Sequence, residues 1–339
     1  MDNYIKPAIE RLNRLLDPWL DRLFLLQPSL LIPVWTFMAA GLGMGAGSRT
    51  PDIFWRVSWN STLALLFIGG SLISGAAFIF VRQSPQRKAG SSGMPILTGT
   101  RTPDGREARK MALILLAIGL VFVFPSGLWA VVAGGLLFCI WGLLYAYRPP
   151  FGGFGPLVDS LLHGGAAGCL FYLGWNTGSV DPTGSWIYML PYILIFTAIG
   201  ALTTIYPQLA PRSSSAAETG PSRAILIVTS LLTVAAGLLG IANSDPMITT
   251  STALILPFHL VALIYLRPVD IFRTVRYSLL ILVIFVGARY PLLYPPIIAA
   301  FYLSRYYYRR RYGQPYPTME GTLWNLGLGL EHTGEAQND

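Results

Sequence analysis

The few side chains here that could do chemistry sit where long apolar runs meet. In residues 143–175, LLYAYRPPFGGFGPLVDSLLHGGAAGCLFYLGW, Tyr145 and Arg148 lead into a Pro-Pro turn, and Asp159 and His163 follow it. Four residues apart, Asp159 and His163 share one face of a helix, where the imidazole could hydrogen-bond the acid, line a cavity or simply pack. Arg82, Arg87 and Lys88 open a basic loop, and Tyr206 and Arg212 close another apolar run. Guanidinium and ammonium groups gathered in this way suit an anion such as a phosphate, which they hold through charge-assisted hydrogen bonds. His163, His259 and His332 are too scattered to form a metal cluster. Cys139 and Cys169 both lie inside apolar runs and read as small buried hydrophobes rather than as a disulfide or metal pair.

The elements that must position these residues are membrane helices. The 339-residue chain is 53% hydrophobic and 12% charged, with a mean hydropathy of +0.53, values that exclude an ordinary soluble globule. Nine windows are apolar and long enough to cross about 30 Å of hydrocarbon: 29–47, 61–81, 109–125, 127–146, 157–176, 186–206, 223–242, 249–266 and 277–303. Their continuity argues against an outer-membrane barrel, whose strands alternate at period two. Their close succession leaves no room for a separate soluble domain. The expected fold is therefore all-α, with about nine transmembrane helices over 29–306. Residues 1–28, with Ile9, Leu12, Leu16, Leu20 and Leu23 opposite Glu10, Arg11, Arg14 and Arg22, read as an amphipathic interfacial helix kinked at Pro18. Residues 307–339 read as a polar tail.

Basic residues set the expected orientation. Seventeen of the 24 Lys and Arg fall in the N-terminal segment and in the connections after spans two, four, six and eight, which places the N-terminus in the cytoplasm. The tail disagrees, since nine crossings would leave Arg309, Arg310 and Arg311 outside. A ninth span over 277–303 is preferred to a pair of half-helices broken at GARYPLLYPP that would return the tail to the inside. Arg289, inside that window, then needs a partner, a wet pocket or a headgroup. The connection 82–110, with seven basic residues against Asp104 and Glu107, is either a solvated loop or a cap that attracts anionic headgroups or a phosphorylated ligand. The glycines of GGSLISG, GLGMGAG and GGAAG read as close helix-packing sites, not as a phosphate cradle.

In order and layout the chain resembles the UbiA superfamily of intramembrane prenyltransferases, from LQPSLLIPVWTFMAAGLG to YYYRRRYGQPYPT. YAYRPPFGGFGPLVDSLLHGGAAG is similar to that family's Tyr-Ser-x-Pro-Pro turn and the Asp-containing helix after it. The resemblance implies a helical bundle with a lipid-sized cavity. It also implies magnesium-assisted ionisation of a prenyl diphosphate, with carboxylates supplied by Asp-rich motifs at the ends of spans two and six. Here the first motif, N-D-x-x-D-x-x-x-D, falls on IFVRQSPQR, so Ile79 replaces its Asn, and Phe80, Gln83 and Arg87 replace its three Asp. No Asp or Glu lies between Asp52 and Asp104, or between Asp181 and Glu218, so a shift of register restores neither motif.

Magnesium is therefore not expected, and no cofactor is required. The resemblance suggests instead a catalytically degenerate protein that binds an isoprenoid lipid, quinone, carotenoid or chlorophyll near Arg82, Arg87, Lys88, Tyr145, Arg148, Asp159, His163, Tyr206 and Arg212. Its partners would be membrane lipids and other membrane-protein subunits, as in a photosynthetic or respiratory complex, and not nucleic acid; the setting would be a bacterial cytoplasmic membrane. The alternative is an active transferase to an aromatic or tetrapyrrole acceptor, with basic side chains holding the diphosphate. A transporter ranks last, because neither a continuous polar path nor an inverted repeat is evident.

Overall fold

The structure is a computed structural model and describes residues 23, 28–46, 61–82, 105–145, 155–178, 185–209 and 219–312. All regular structure among them is helical. In chain order the elements are α1 (Pro28–Gly45), α2 (Ser61–Arg82), α3 (Gly105–Val123), α4 (Leu128–Phe138, continued by a π-helix, Cys139–Leu144) and α5 (Gly155–Gly178). They continue with α6 (Ser185–Leu209), α7 (Thr219–Ala242), α8 (Pro246–Tyr265), α9 (Pro268–Arg289) and α10 (Tyr294–Tyr312). Seven helices, α2, α3 and α5–α9, are long and apolar enough to cross a membrane, and shorter apolar stretches cover Leu31–Gly45 and Leu128–Leu144. Large apolar side chains such as Leu128, Val121, Ile241 and Ile264 are exposed on the outside of the bundle, as expected where lipid is the solvent.

The first eight expected spans match α1 to α8. The ninth does not. Residues 277–303 are neither one span nor a pair of half-helices, but parts of two full helices, α9 and α10, joined by a 3-10 turn at Pro291–Leu293. Pro291 has no N–H to continue the ladder, and Tyr290 before it leaves helical geometry (φ −127°, ψ 75°). At its other end α9 begins nine residues earlier than expected, because Pro268 is pre-set for a first turn and the helix continues through Asp270, Arg273 and Arg276 despite their charge. Arg289 is consequently the last residue of α9, half-buried at the end of a helix. There it meets the negative end of the helix dipole. The 82–110 connection is also shorter than expected, since Arg106, Arg109 and Lys110 belong to the first turns of α3. The interfacial helix expected over 1–28 and most of the expected tail lie outside the described residues, and α10 continues past residue 306.

Small residues set the helix separations. A Cβ on Gly41 of α1 would strike the Phe171 carbonyl of α5, and one on Gly174 of α5 would strike the Met38 carbonyl of α1. The two backbones thus touch directly. Gly164 and Gly168 give α6 the same access through Ile193 and Thr197, and Gly69 and Gly119 face each other's carbonyls between α2 and α3. An aromatic column fills the space between α1, α5 and α6. Phe37 stacks edge-on against Phe196 (4.6 Å) and Tyr192 (6.3 Å), Tyr192 meets Phe171 (4.9 Å), and Trp175 lies between Phe171 and Tyr188.

Polar contacts tie one end of the bundle. Asn176 Nδ2 donates to the Ser126 carbonyl (2.6 Å) at the α3–α4 turn, where Gly127 takes φ +105°. Asn243 Nδ2 donates to the Ile187 carbonyl (2.7 Å). Asp245, almost fully buried, caps α8 by accepting from the Met247 and Ile248 amides and also accepts from the Tyr192 hydroxyl (2.7 Å). Burial pushes its carboxyl up from the ordinary range, opposed by those hydrogen bonds and by the charge of Arg289. This is the turn end. At the opposite, basic end lie Arg82, Arg106, Arg109, Lys110, Arg223, Arg267, Arg273 and Arg276, at the termini of α2, α3, α7 and α9.

Because the obstacle at Gly174 is backbone, Gly174→Ala should destabilise the detergent-solubilised protein by about 1–3 kcal/mol. Gly135→Ala, which meets nothing within 4 Å, should be neutral or stabilising by up to about 1 kcal/mol. Parallel denaturation curves check both.

Candidate functional site

The π-helix that ends α4 and the third turn of α5 build a ring-lined junction toward the basic end. Widening the helix at Cys139–Leu144 turns both Trp141 and Tyr145 onto His163 of α5. The His163 ring lies 5.2 Å from Tyr145 and 6.4 Å from Trp141, both edge-on, and 6.2 Å from Phe196 of α6. Gly200 of α6 leaves room for the His163 side chain, which a Cβ there would approach to 2.9 Å. Trp141 reaches on to Phe78 of α2 (5.3 Å). Helices α2, α4, α5 and α6 therefore converge through aromatic rings.

His163 does hydrogen-bond Asp159, but through the backbone. Its Nδ1 lies 2.7 Å from the Asp159 carbonyl oxygen, and because a carbonyl only accepts, Nδ1 carries the proton. In the neutral ring Nε2 is then the acceptor. Asp159 itself is 4% exposed. It lies beyond the first turn of α5, which holds no acid. Of the other expected site residues, Arg82 closes α2 and Tyr206 lies in the last turn of α6, both placed by backbone. Arg87, Lys88, Arg148 and Arg212 lie outside the described residues. The structure thus brings Tyr145 and His163 into contact, and sets Asp159 one turn away.

Two of the positions that the resemblance assigns to the first metal motif are apolar. Ile79 is 1% exposed, and Phe80, 9% exposed, packs edge-on against Phe138 at 5.3 Å. Both are core side chains, and apolar carbon offers no oxygen ligand to a hard cation. Among the described residues no three His, Cys, Asp or Glu side chains gather closely enough to hold a metal ion.

Three features were missed in the sequence. Trp141 precedes Tyr145 by one turn, a spacing that could have paired them. Asp245–Pro246 is an N-cap followed by an N1 proline, a recognisable helix start. The buried His259 of α8, with Nε2 3.5 Å from Thr233 Oγ1 of α7, has no sequence signal, because Thr233 is 26 residues away. Thr229, Ser230 and Thr252 line the same helix pair and bond their own helix carbonyls. Such contacts hold membrane helices together without chemistry.

Phe80→Asp should therefore place an unpaired carboxyl in the core and lower stability by about 3 kcal/mol or more. Adding millimolar magnesium should not restore the melting temperature, which a thermal melt with and without the ion would show.

No family model matches the sequence, and no curated protein matches it significantly. Solved structures do. A UbiA homolog from Archaeoglobus fulgidus bound to DMAPP and Mg2+ aligns over 80% of this chain and 98% of its own, at 17% identity and a TM-score of 0.54. The same homolog bound to GPP and Mg2+ gives 79% and 99%, 18% identity and 0.50. A structure from work on digeranylgeranylglyceryl phosphate synthase in membranes gives 81% and 98%, 15% identity and 0.51. The chain is an integral membrane protein with the UbiA-like helical fold of these structures.

Proposed function

We propose that this protein is a degenerate member of the UbiA superfamily that holds an isoprenoid-tailed ligand without transferring it. The observation that carries the reading is at the end of α2. Where the superfamily places metal-binding carboxylates, this chain has Ile79 and Phe80 packed into the core, followed by Gln83 and Arg87. Ionising an allylic diphosphate requires charge stabilisation as the leaving group departs. Apolar contacts supply none. Arginines can hold a diphosphate in its ground state, but holding it does not accelerate its departure.

The ring-lined junction suits the proposed ligand. Tyr145, Trp141, His163 and Phe196 offer flat, largely apolar surface with a polar edge, matched to the ring of a quinone or the conjugated part of a carotenoid or chlorophyll. Arg82 and the basic turns of α3 lie toward the same end and favour an anionic group there. We further propose that the protein works as a subunit of a larger membrane complex. The second reading, an active transferase, is favoured only by the likeness to structures that bind DMAPP or GPP with Mg2+.

Gentle extraction from native membranes, followed by mass spectrometry of copurifying protein and lipid, tests the proposal. The expected result is a near-stoichiometric isoprenoid or pigment and defined partner subunits, with no product from geranyl diphosphate, magnesium and extracted acceptors. Magnesium-dependent prenyl transfer by the purified chain would overturn it.

A further inference from the structure

Helix α10 lies beyond the nine-span layout, and its side chains are graded along its length. It starts at the turn end, where the Tyr294 hydroxyl donates to the Ile284 carbonyl of α9 (3.0 Å) and Tyr290 lies against Gly43 of α1. Ala300, Ser304 and Tyr307 are buried at spacings of four and three, which is one helix face, and among the described residues the helix that α10 packs on is α1. The opposite face is exposed and changes character in order. Ile298 (51% exposed) and Phe301 come first, then Tyr302 (62%) and Tyr306, with Arg305 and Arg309 exposed beside and beyond them.

Apolar, then aromatic, then basic is the order a helix meets on leaving hydrocarbon for a headgroup layer. The lengths agree. From Tyr294 to Arg309 is about 22 Å of helix at 1.5 Å per residue. An arginine side chain reaching outward along the helix adds several Å more, close to the roughly 30 Å of hydrocarbon. Charge agrees as well. If α10 returns through the bilayer beside α1, Arg305, Arg309, Arg310 and Arg311 join the basic end, leaving only Arg49, Arg56 and Arg289 on the other side. The conflict between the tail and the positive-inside pattern disappears. The arginine end is also partly pre-shaped, since Arg310 Nη1 donates to the Tyr306 hydroxyl (2.8 Å) and its guanidinium lies 5.9 Å from the Tyr306 ring centre.

We propose that α10 recrosses the membrane and binds anionic phospholipid headgroups in the basic-end leaflet through Arg305, Arg309 and Arg310. Arginine forks fit phosphate oxygens in pairs, and the tyrosines sit at the depth where the glycerol region begins. This inference is independent of whether the junction near His163 binds an isoprenoid.

Two measurements on the full chain test it. The first is labelling with a membrane-impermeant maleimide from either side of sealed membranes, for Thr318→Cys in the tail, Ser91→Cys after α2 and Thr183→Cys between α5 and α6. Wild type is the blank, since Cys139 and Cys169 lie within spans. Thr318→Cys should label from the same side as Ser91→Cys; labelling with Thr183→Cys overturns the proposal. The second is native mass spectrometry after exchange into mixed phosphatidylglycerol and phosphatidylcholine. Arg305→Gln with Arg309→Gln should lower retained phosphatidylglycerol by about tenfold and leave phosphatidylcholine unchanged, while Arg305→Lys with Arg309→Lys retains most of it. Equal phosphatidylglycerol on wild type and the Gln variant, with unchanged melting temperatures, overturns the lipid assignment.

Discussion

The contact of α1 and α5, backbone against backbone, is the constraint around which the rest of this bundle is arranged. Lipid tails are as apolar as leucine, so burying apolar surface does not by itself drive two membrane helices together. Close dispersion contact does, and it is available only where neither helix has a side chain in the way. Gly41 and Gly174 create that condition in both directions. With α1 seated on α5, Gly164 and Gly168 admit α6 on another side of α5. Phe37, Phe171, Tyr192 and Phe196 then fill the space that three helices at these separations enclose.

The two ends solve different problems. At the turn end the chain reverses within a few residues, and the freed polar groups need partners. Asp245 supplies several at once, closing the first turn of α8 and holding Tyr192 of α6, with Arg289 nearby to offset its charge. A buried carboxylate is costly, and these donors offset the cost. The basic end is held by rings and carries its charge at helix termini. Tyr145, Trp141, His163 and Phe196 close the gap between α4, α5 and α6 with few directed bonds, an arrangement that can accommodate a flat or flexible guest.

This contrast bears on function. Packing and chemistry depend on different residues of a fold, so either can change without the other. Here glycines set the helix separations. At the end of α2, Phe80 is part of the wall against Phe138, a role that stabilises the bundle. His163 holds its Nδ1 against the Asp159 backbone carbonyl.

Eight of the helices were legible in the sequence because apolar length is nearly all that a crossing demands. Proline rules could have divided 277–303 at Pro291, but a hydropathy window sees only the apolar average across the break. The same averaging hid the start of α9, whose charges fall on its first turns. The glycine runs could be read as packing sites, since an apolar setting excludes most other roles, yet which helix each one faces required the fold. The candidate site was half legible. Asp159 and His163 share a helix face by spacing alone, whereas the carbonyl that His163 binds, and the rings of Trp141 and Phe196 around it, come from backbone geometry and from distant segments. Composition and local spacing by themselves determined that this is a helical membrane protein. Only the tertiary structure decided which side chains meet, because contacts between residues tens of positions apart depend on where helices cross, and small residues on two separate helices set that crossing together.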